Sequence, residues 1–330
     1  MSHQLPRVCL AHLPTPLEEL PRLSARLGGP RILVKRDDAT GLATGGNKAR
    51  KLEYLIADAL QQGADTIITC GAAQSNHARQ TAAAAARCGL RCTLVLAPRA
   101  PVGLAAGNLL LDRLLGAQVR WAGDRDPYDL MQEVAEEERS VGRHPYLIPT
   151  GGSNPIGAVG YVGAMEELAA QLRSRDIGVD HLVFATGSGG TQAGLLVGAE
   201  AVGFRGRIVG ISVGPAAEEL GPSVLSVAHL TAALLGRDSR LGPQDVVIHE
   251  GYRGGGYGVV AAAEREAIRL LAEQEGLLLD PVYTARAMAG LIDLVAQGEF
   301  RAGETVLFWH TGGQAGLFAE ARALLSKDGT

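Results

Sequence analysis

Lys48 follows the pair Gly45-Gly46 and Asn47 and opens a run in which Lys51, Leu52, Tyr54, Leu55 and Ile56 carry an apolar face at helical spacing. The two glycines let the backbone approach a ligand closely, and the lysine stands at the mouth of a helix. An amine held near helix-terminal amides and partly out of water has its charged form disfavoured. It is then a nucleophile suited to a Schiff base with a carbonyl compound. The competing reading makes Lys48, Arg50 and Lys51 a solvated basic face.

Three other stretches offer complementary chemistry. Thr186-Gly187-Ser188-Gly189-Gly190-Thr191 follows a strand pattern and opens a helix pattern, so its amides and hydroxyls can converge on a phosphate at the positive end of the helix dipole. Gln192 stands where a dinucleotide fingerprint needs its third glycine. No acidic residue ends the next strand, where Ser212 and Val213 sit, and no Gly-Lys-Ser/Thr follows as in a Walker loop. Gln74-Ser75-Asn76-His77 places four polar side chains and free amides at one helix start, which suits a carboxylate, although Ser75 could serve only as a cap. Asp280 to Thr284 and His310 to Gly313 occupy junctions leading into helices, and Tyr257 lies on a glycine-flanked turn. A nucleophilic lysine, a phosphate cup, a carboxylate cradle and aromatic walls together describe a pyridoxal-phosphate site acting on an amino acid.

The elements that must hold these stretches alternate along the chain. Strand patterns at Arg31 to Lys35, Thr66 to Cys70, Cys92 to Leu96, Gln118 to Trp121 and Tyr146 to Pro149 are separated by helix patterns ending near Gln62, Cys88, Leu115 and Arg139. The helix before Leu115 is expected to begin at Leu104. Gly151-Gly152-Ser153-Asn154-Pro155 is the strongest internal punctuation, and a domain boundary is expected near it. Beyond it, strands are predicted at His181 to Ala185, Ile208 to Val213, Val246 to His249 and Thr305 to Trp309. Helices fall between them, and one more is expected over Gln314 to Leu325. This alternation predicts α/β architecture with open parallel sheets.

A length of 330 residues suffices for two cores, and 46% hydrophobic content with 44 glycines suits many tight strand-to-helix turns. A net charge of -4 without a long basic run argues against nucleic acid and anionic membrane as partners, and leaves a small molecule. No apolar run approaches a membrane span and the start MSHQLPRVCL lacks the apolar core of a signal peptide, so a cytoplasmic protein is expected. Cys9, Cys70, Cys88 and Cys92 show no metal-ligand spacing; they read as free thiols, and no metal site is expected.

KRDD from Lys35, GLATGGNKARKLEYL from Gly41, QSNHARQTAAAAA from Gln74, GGSN from Gly151, GSGGTQAGL from Gly187, LDPVYT from Leu279 and HTGG from His310 resemble the D-cysteine desulfhydrase family. That family belongs with the 1-aminocyclopropane-1-carboxylate deaminases in the tryptophan synthase β-like fold of pyridoxal-phosphate enzymes (fold type II). The resemblance spans nearly the whole chain. It implies two open, mostly parallel twisted sheets flanked by helices, with residues 1–49 and 151–330 in a large cofactor domain and 50–150 in a smaller one. It also implies a homodimer.

Carried over residue by residue, the resemblance makes Lys48 the Schiff-base lysine and puts the cofactor phosphate on Gly187, Ser188, Gly189, Gly190 and Thr191. Asn76 meets the cofactor's ring oxygen, while Gln74, Ser75 and His77 hold the substrate carboxylate, with Ser75 also close to the reacting carbon. Tyr257 and Tyr283 line the substrate side. In the cyclopropane deaminases a Glu stands at Thr284 and a Leu at Thr311. The threonine hydroxyls support a more nearly neutral cofactor ring, which favours expelling a good leaving group.

The implied reaction is an α,β-elimination in which Lys48 removes the α-proton and a β-sulfur group departs, leaving pyruvate and ammonia after hydrolysis. D-cysteine is the first substrate expected. Arg253, ahead of the Gly256-Tyr257-Gly258 turn, departs from the family's small or apolar residue. It raises L-cysteate as an alternative, its guanidinium pairing with a sulfonate. A cyclopropane-carboxylate deaminase and a noncatalytic cofactor-binding protein stand as further readings.

Overall fold

The computed structural model describes residues 5–97, 106–252, 256 and 259–325. Arg253 and Tyr257 lie outside the described residues, as does the expected helix start at Leu104. Two sheets organise the chain. The larger has the order β1(Leu17–Glu19), β2(Arg31–Arg36), β10(Thr305–His310), β7(His181–Thr186), β8(Arg207–Ser212) and β9(Val247–His249). All its pairings are parallel except β1 with β2. The smaller is wholly parallel, in the order β5(Gln118–Trp121), β4(Arg91–Ala97), β3(Thr66–Ala72) and β6(Pro145–Ile148).

The central strands are short buried apolar runs, as both-sided burial demands: Ile67, Ile68 and Cys70 in β3 and Leu182, Val183 and Phe184 in β7 are almost fully enclosed. Helices α2(Lys48–Gln61), α3(Asn76–Arg87), α6(Pro155–Arg175) and α7(Gly190–Val202) carry the residues of the polar stretches. Helix α2 lies against α6 at Gly160, where a β-carbon would stand 2.2 Å from the Arg50 carbonyl oxygen. The absence of a side chain there lets the two backbones meet, which fixes the direction from which Lys48 approaches the site.

The same contact buries a polar network. Arg50 donates to Asp37 Oδ1 at 2.8 Å and to Glu167 Oε1 at 3.0 Å. Tyr161 donates to Asp37 Oδ2 at 2.6 Å, and Lys35 pairs with Glu167. Lys51 is likewise 1% exposed, so the solvated basic face considered for Lys48, Arg50 and Lys51 is not formed.

The predicted strands appear with ends shifted by a residue or two. Strand β1 and helix α1(Pro21–Leu27) are additions that the sequence patterns do not mark. The single expected helix over Gln314 to Leu325 is two short ones, α11(Ala315–Ala319) and α12(Ala321–Leu325). All four cysteines are free thiols.

Candidate active site

The backbone that delivers Lys48 is unusual before it is functional. Ala43, Thr44, Gly45 and Gly46 all have positive φ, at 43°, 71°, 74° and 131°. Two of the four are not glycine, and such strain persists only where the surroundings enforce it. Enforcement comes from the Gly45 carbonyl, which accepts from Arg79 Nη1 and Nη2 at 3.3 Å each and also from Gln80. A β-carbon on Gly45 would lie 1.9 Å from the Asp38 carbonyl oxygen. Asn47 then fastens the loop to two other stretches: its N–H donates to the Thr311 carbonyl at 2.9 Å and its side-chain amide to Thr191 Oγ1 at 3.2 Å.

A cavity of about 310 Å³ opens at this junction. Lys48, Ser75, Asn76, His77, Gly187, Ser188, Gly189, Thr191, Tyr283 and Thr311 all line it, so the structure brings together most of the residues singled out from sequence. Gln74, Gly190 and Thr284 do not line it.

Burial pushes the Lys48 amine down to about 8, aided by the charge of Arg79 and opposed by Asp280. Near neutral pH a useful fraction is therefore the free amine. Its Nζ donates to Asn47 Oδ1 at 3.1 Å.

Ser75 is both the N-cap of α3, accepting from the Ala78 N–H at 3.1 Å, and a wall of the cavity. His77 lines the cavity and is also tied to β3. Its Nε2 lies 2.9 Å from Thr69 Oγ1, and that hydroxyl donates its own proton to the Ile148 carbonyl at 2.7 Å. Thr69 can therefore only accept from the ring, which makes His77 the Nε2–H tautomer with a bare Nδ1. Burial and the charges of Lys48 and Lys51 push its pKa well below the usual range. A neutral ring whose bare Nδ1 is buried offers the cavity no proton, so the Ser75 hydroxyl and the amides of the first turn of α3 are the donors on this side of the cavity.

Gln74 is committed elsewhere: its Oε1 accepts from the Asn108 N–H at 2.9 Å and its Nε2 donates to the Ala106 carbonyl at 3.0 Å. Thr284 is fully buried at the start of α10(Thr284–Ala296). Its hydroxyl donates to Asp280 Oδ1 at 2.7 Å and accepts from the Asp280 N–H at 2.7 Å. Of Thr284 and Thr311, Thr311 alone lines the cavity.

Lys51 is the residue that sequence reasoning passed over. Its Nζ donates to the Gly151 carbonyl at 3.0 Å and to Ser153 Oγ at 3.2 Å. Ser153 Oγ lies 2.8 Å from Ser188 Oγ and accepts from the Gly190 N–H at 3.2 Å. Among the described residues no carboxylate pairs with Lys48 or Lys51. Burial and the nearby Lys48 drive the Lys51 pKa well below its ordinary value. The signal was present in the sequence: Lys51 sits three positions after Lys48, one turn along the same helix face.

Two amines drawn out of water with no carboxylate in contact among the described residues, beside a glycine-rich helix start, suit an anionic ligand that also bears a carbonyl. Pyridoxal phosphate fits both demands. The Gly187–Thr191 turn suits its phosphate, with Lys51 behind the cavity wall and joined to that turn through Ser153, and Lys48 suits its carbonyl carbon.

Comparison with known proteins agrees. The family described as pyridoxal-phosphate dependent enzyme matches residues 8–312. D-cysteine desulfhydrases of Salmonella schwarzengrund (strain CVM19633) and Salmonella newport (strain SL254) are each 46% identical over 323 residues, covering 96% of both chains. A crystal structure of an ACC deaminase homologue superposes with a TM-score of 0.90 at 42% identity, over 98% of this chain and 96% of that one. The Escherichia coli diaminopropionate ammonia lyase in its apo form shares the fold alone, at a TM-score of 0.65 and 17% identity over 95% of this chain and 86% of its own. The anion cup, the paired lysines and the extent of these matches place the chain in the pyridoxal-phosphate dependent enzyme family.

Proposed function

We propose that the chain is a carbon-sulfur lyase that converts D-cysteine and water to pyruvate, hydrogen sulfide and ammonia. The observation that carries the reading is Lys48, a partly buried amine held near pKa 8, facing Ser75 and the first turn of α3 across one cavity. The 46% identity to D-cysteine desulfhydrases over 96% of the chain supports the choice of substrate.

Bound pyridoxal phosphate supplies the electron sink that makes the α-proton acidic. The chain's residues do the rest. Lys51, Ser188, Gly189, Gly190 and Thr191 would hold the phosphate, and Asn76 would donate to the ring oxygen. The amides of Asn76 and His77 receive the substrate carboxylate. With the cofactor bound, Lys48 Nζ would accept the substrate's α-proton, and the C–S bond would break with its electron pair going to sulfur. Thiolate leaves with its electron pair and is protonated to hydrogen sulfide; hydrolysis of the remaining enamine gives pyruvate and ammonia.

A second reading, deamination of 1-aminocyclopropane-1-carboxylate, is favoured by the 42% identical ACC deaminase homologue. It is opposed by the neutral threonines at 284 and 311, since Thr284 spends its hydroxyl on Asp280 and carries no charge to hold a ring proton. The two sheets support a large domain of residues 1–49 and 151–330 and a smaller one of 50–150. Leu114 and Phe318, exposed at 74% and 70% on the adjacent helices α4(Gly107–Leu114) and α11, support self-association as a homodimer. No described helix is long and apolar enough to cross a membrane, and we propose a cytoplasmic location.

The test is 2-oxo acid release by the cofactor-loaded protein from D-cysteine, L-cysteate and 1-aminocyclopropane-1-carboxylate in parallel, with Lys48→Ala as control. Pyruvate with sulfide from D-cysteine alone, lost in the variant, is expected. Sulfite from L-cysteate, or 2-oxobutanoate from the cyclopropane, would replace the proposal with the corresponding alternative.

A further inference from the structure

Behind Asn76 lies a chain of side chains whose donor and acceptor roles admit only one arrangement. It begins at Arg79, fully buried, whose Nε donates to Asn108 Oδ1 at 2.6 Å. A guanidinium has no acceptor, so Asn108 must turn its oxygen to Arg79 and its amide nitrogen the other way. That nitrogen donates to the Gln74 carbonyl at 2.9 Å and to Asn76 Oδ1 at 3.0 Å. Arg79 Nη2 adds a longer contact of 3.4 Å to the same oxygen. Asn76 therefore has its oxygen claimed from behind, and its NH2 is the end left for the cavity. Among the described residues that nitrogen meets no acceptor. It faces the backbone of Gly313, where a β-carbon would stand 2.7 Å away.

An asparagine amide is nearly symmetric, and without a fixed back wall it can present either end to a ligand. The two ends are not equivalent to a cofactor whose ring oxygen is ionised: the NH2 stabilises the oxyanion and the carbonyl repels it.

We propose that Asn108 and Arg79 are positioning residues that lock Asn76 with its NH2 toward the cofactor's ring oxygen, and so set the protonation balance of the bound cofactor. Neither residue touches the cavity; both act through Asn76. The proposal rests on the cofactor reading above. It also explains why Gln74 is withdrawn from the cavity: its Oε1 and backbone carbonyl grip the Asn108 N–H and side-chain amide, anchoring the first turn of α4 at the site.

The substitution that isolates this role is Asn108→Asp. A carboxylate keeps the acceptor for Arg79 and very nearly the shape, yet has no proton for Asn76 Oδ1, so Asn76 is free to turn. The readout is the pH midpoint of the visible band of the cofactor-loaded protein, followed by titration without substrate. Losing a donor to the oxyanion makes the cofactor hold its proton more tightly, so the midpoint should rise by about one pH unit. Asn76→Ala should produce a similar rise, and the double variant no further rise, because both remove the same hydrogen bond.

A band that Lys48→Ala removes but whose midpoint Asn108→Asp leaves in place would overturn the locking role while leaving the cofactor reading intact. A native protein that forms no such band when loaded would overturn both. Should Asn108→Asp not fold, the native protein supplies the measurement. The side-chain amide resonances of Asn76, assigned by their loss in Asn76→Ala, should shift on loading. Unchanged resonances would overturn the proposal.

Discussion

The Nε2 of His77 lies 2.9 Å from the hydroxyl of Thr69, which donates to Ile148 and so fixes the Nε2–H tautomer, while burial and the charges of Lys48 and Lys51 keep the ring neutral with Nδ1 bare. A histidine whose folded-state pKa is depressed takes up its proton more readily when the chain unfolds. Stability contributed by the neutral form is present above the unfolded pKa near 6.5 and falls as pH drops below it. His77→Gln should flatten that acid-side loss in a series of urea denaturations from pH 7.5 to 5. Thr69→Val leaves the Nε2–H without a buried acceptor and should cost about 1–3 kcal/mol at pH 7.5.

Lys48 yields a prediction about cofactor capture. With its pKa pushed down to about 8, the nucleophilic free amine grows in as pH rises through that value. The rate at which the cofactor-free protein acquires pyridoxal phosphate, followed by the growth of visible absorbance, should increase up to about pH 8 and level off above it. A profile still climbing toward pH 10 would show an amine that burial has not perturbed.

Much of this site is legible without the fold, and for a physical reason. Lys48, the 187–191 turn and the Gln74–His77 cluster act through backbone amides and contiguous side chains, so their chemistry is written in consecutive residues. The cavity collects most of them. What the sequence hides depends on contacts between distant segments. Asn108 stands 32 residues beyond Asn76 with nothing local to mark it, and only the seating of α4 beside α3 brings the two amides together. Arg50 and Lys51 look like surface charges because sequence alone does not show that α6 covers them. Strand β1, only three residues with two glutamates among them, has no alternation to betray it and exists because β2 offers an edge.

Lys51 should reveal itself through protons as well as affinity. In the cofactor-free protein burial and Lys48 favour its neutral form, whereas a phosphate dianion beside it favours the ammonium. Cofactor binding should therefore draw a proton onto Lys51, measurable as a dependence of the calorimetric binding enthalpy on the ionisation enthalpy of the buffer. Lys51→Met should abolish that uptake and weaken binding about 10- to 150-fold, the equivalent of one charge-assisted hydrogen bond. Unchanged affinity would remove Lys51 from the phosphate site.

Asp112 gives the opposite pH signature to His77. It is fully buried with neither carboxylate oxygen hydrogen-bonded among the described residues, and burial pushes its pKa up to about 7 against the favourable charge of Arg79. The folded chain thus keeps a proton that the unfolded chain has already lost above about pH 4. Stability contributed by the protonated form must decline as pH rises from about 4 to 7, and beyond that the penalty is constant. Asp112→Asn removes the titration while keeping the shape. It should leave stability near pH 4 almost unchanged and raise it by about 1–3 kcal/mol at pH 8, the scale of a buried polar group left without a partner. Thermal denaturation at the two pH values decides the matter. A variant destabilised equally at both would mean that Asp112 serves Arg79 as an obligatory counter-ion, and that the guanidinium behind Asn76 depends on its charge.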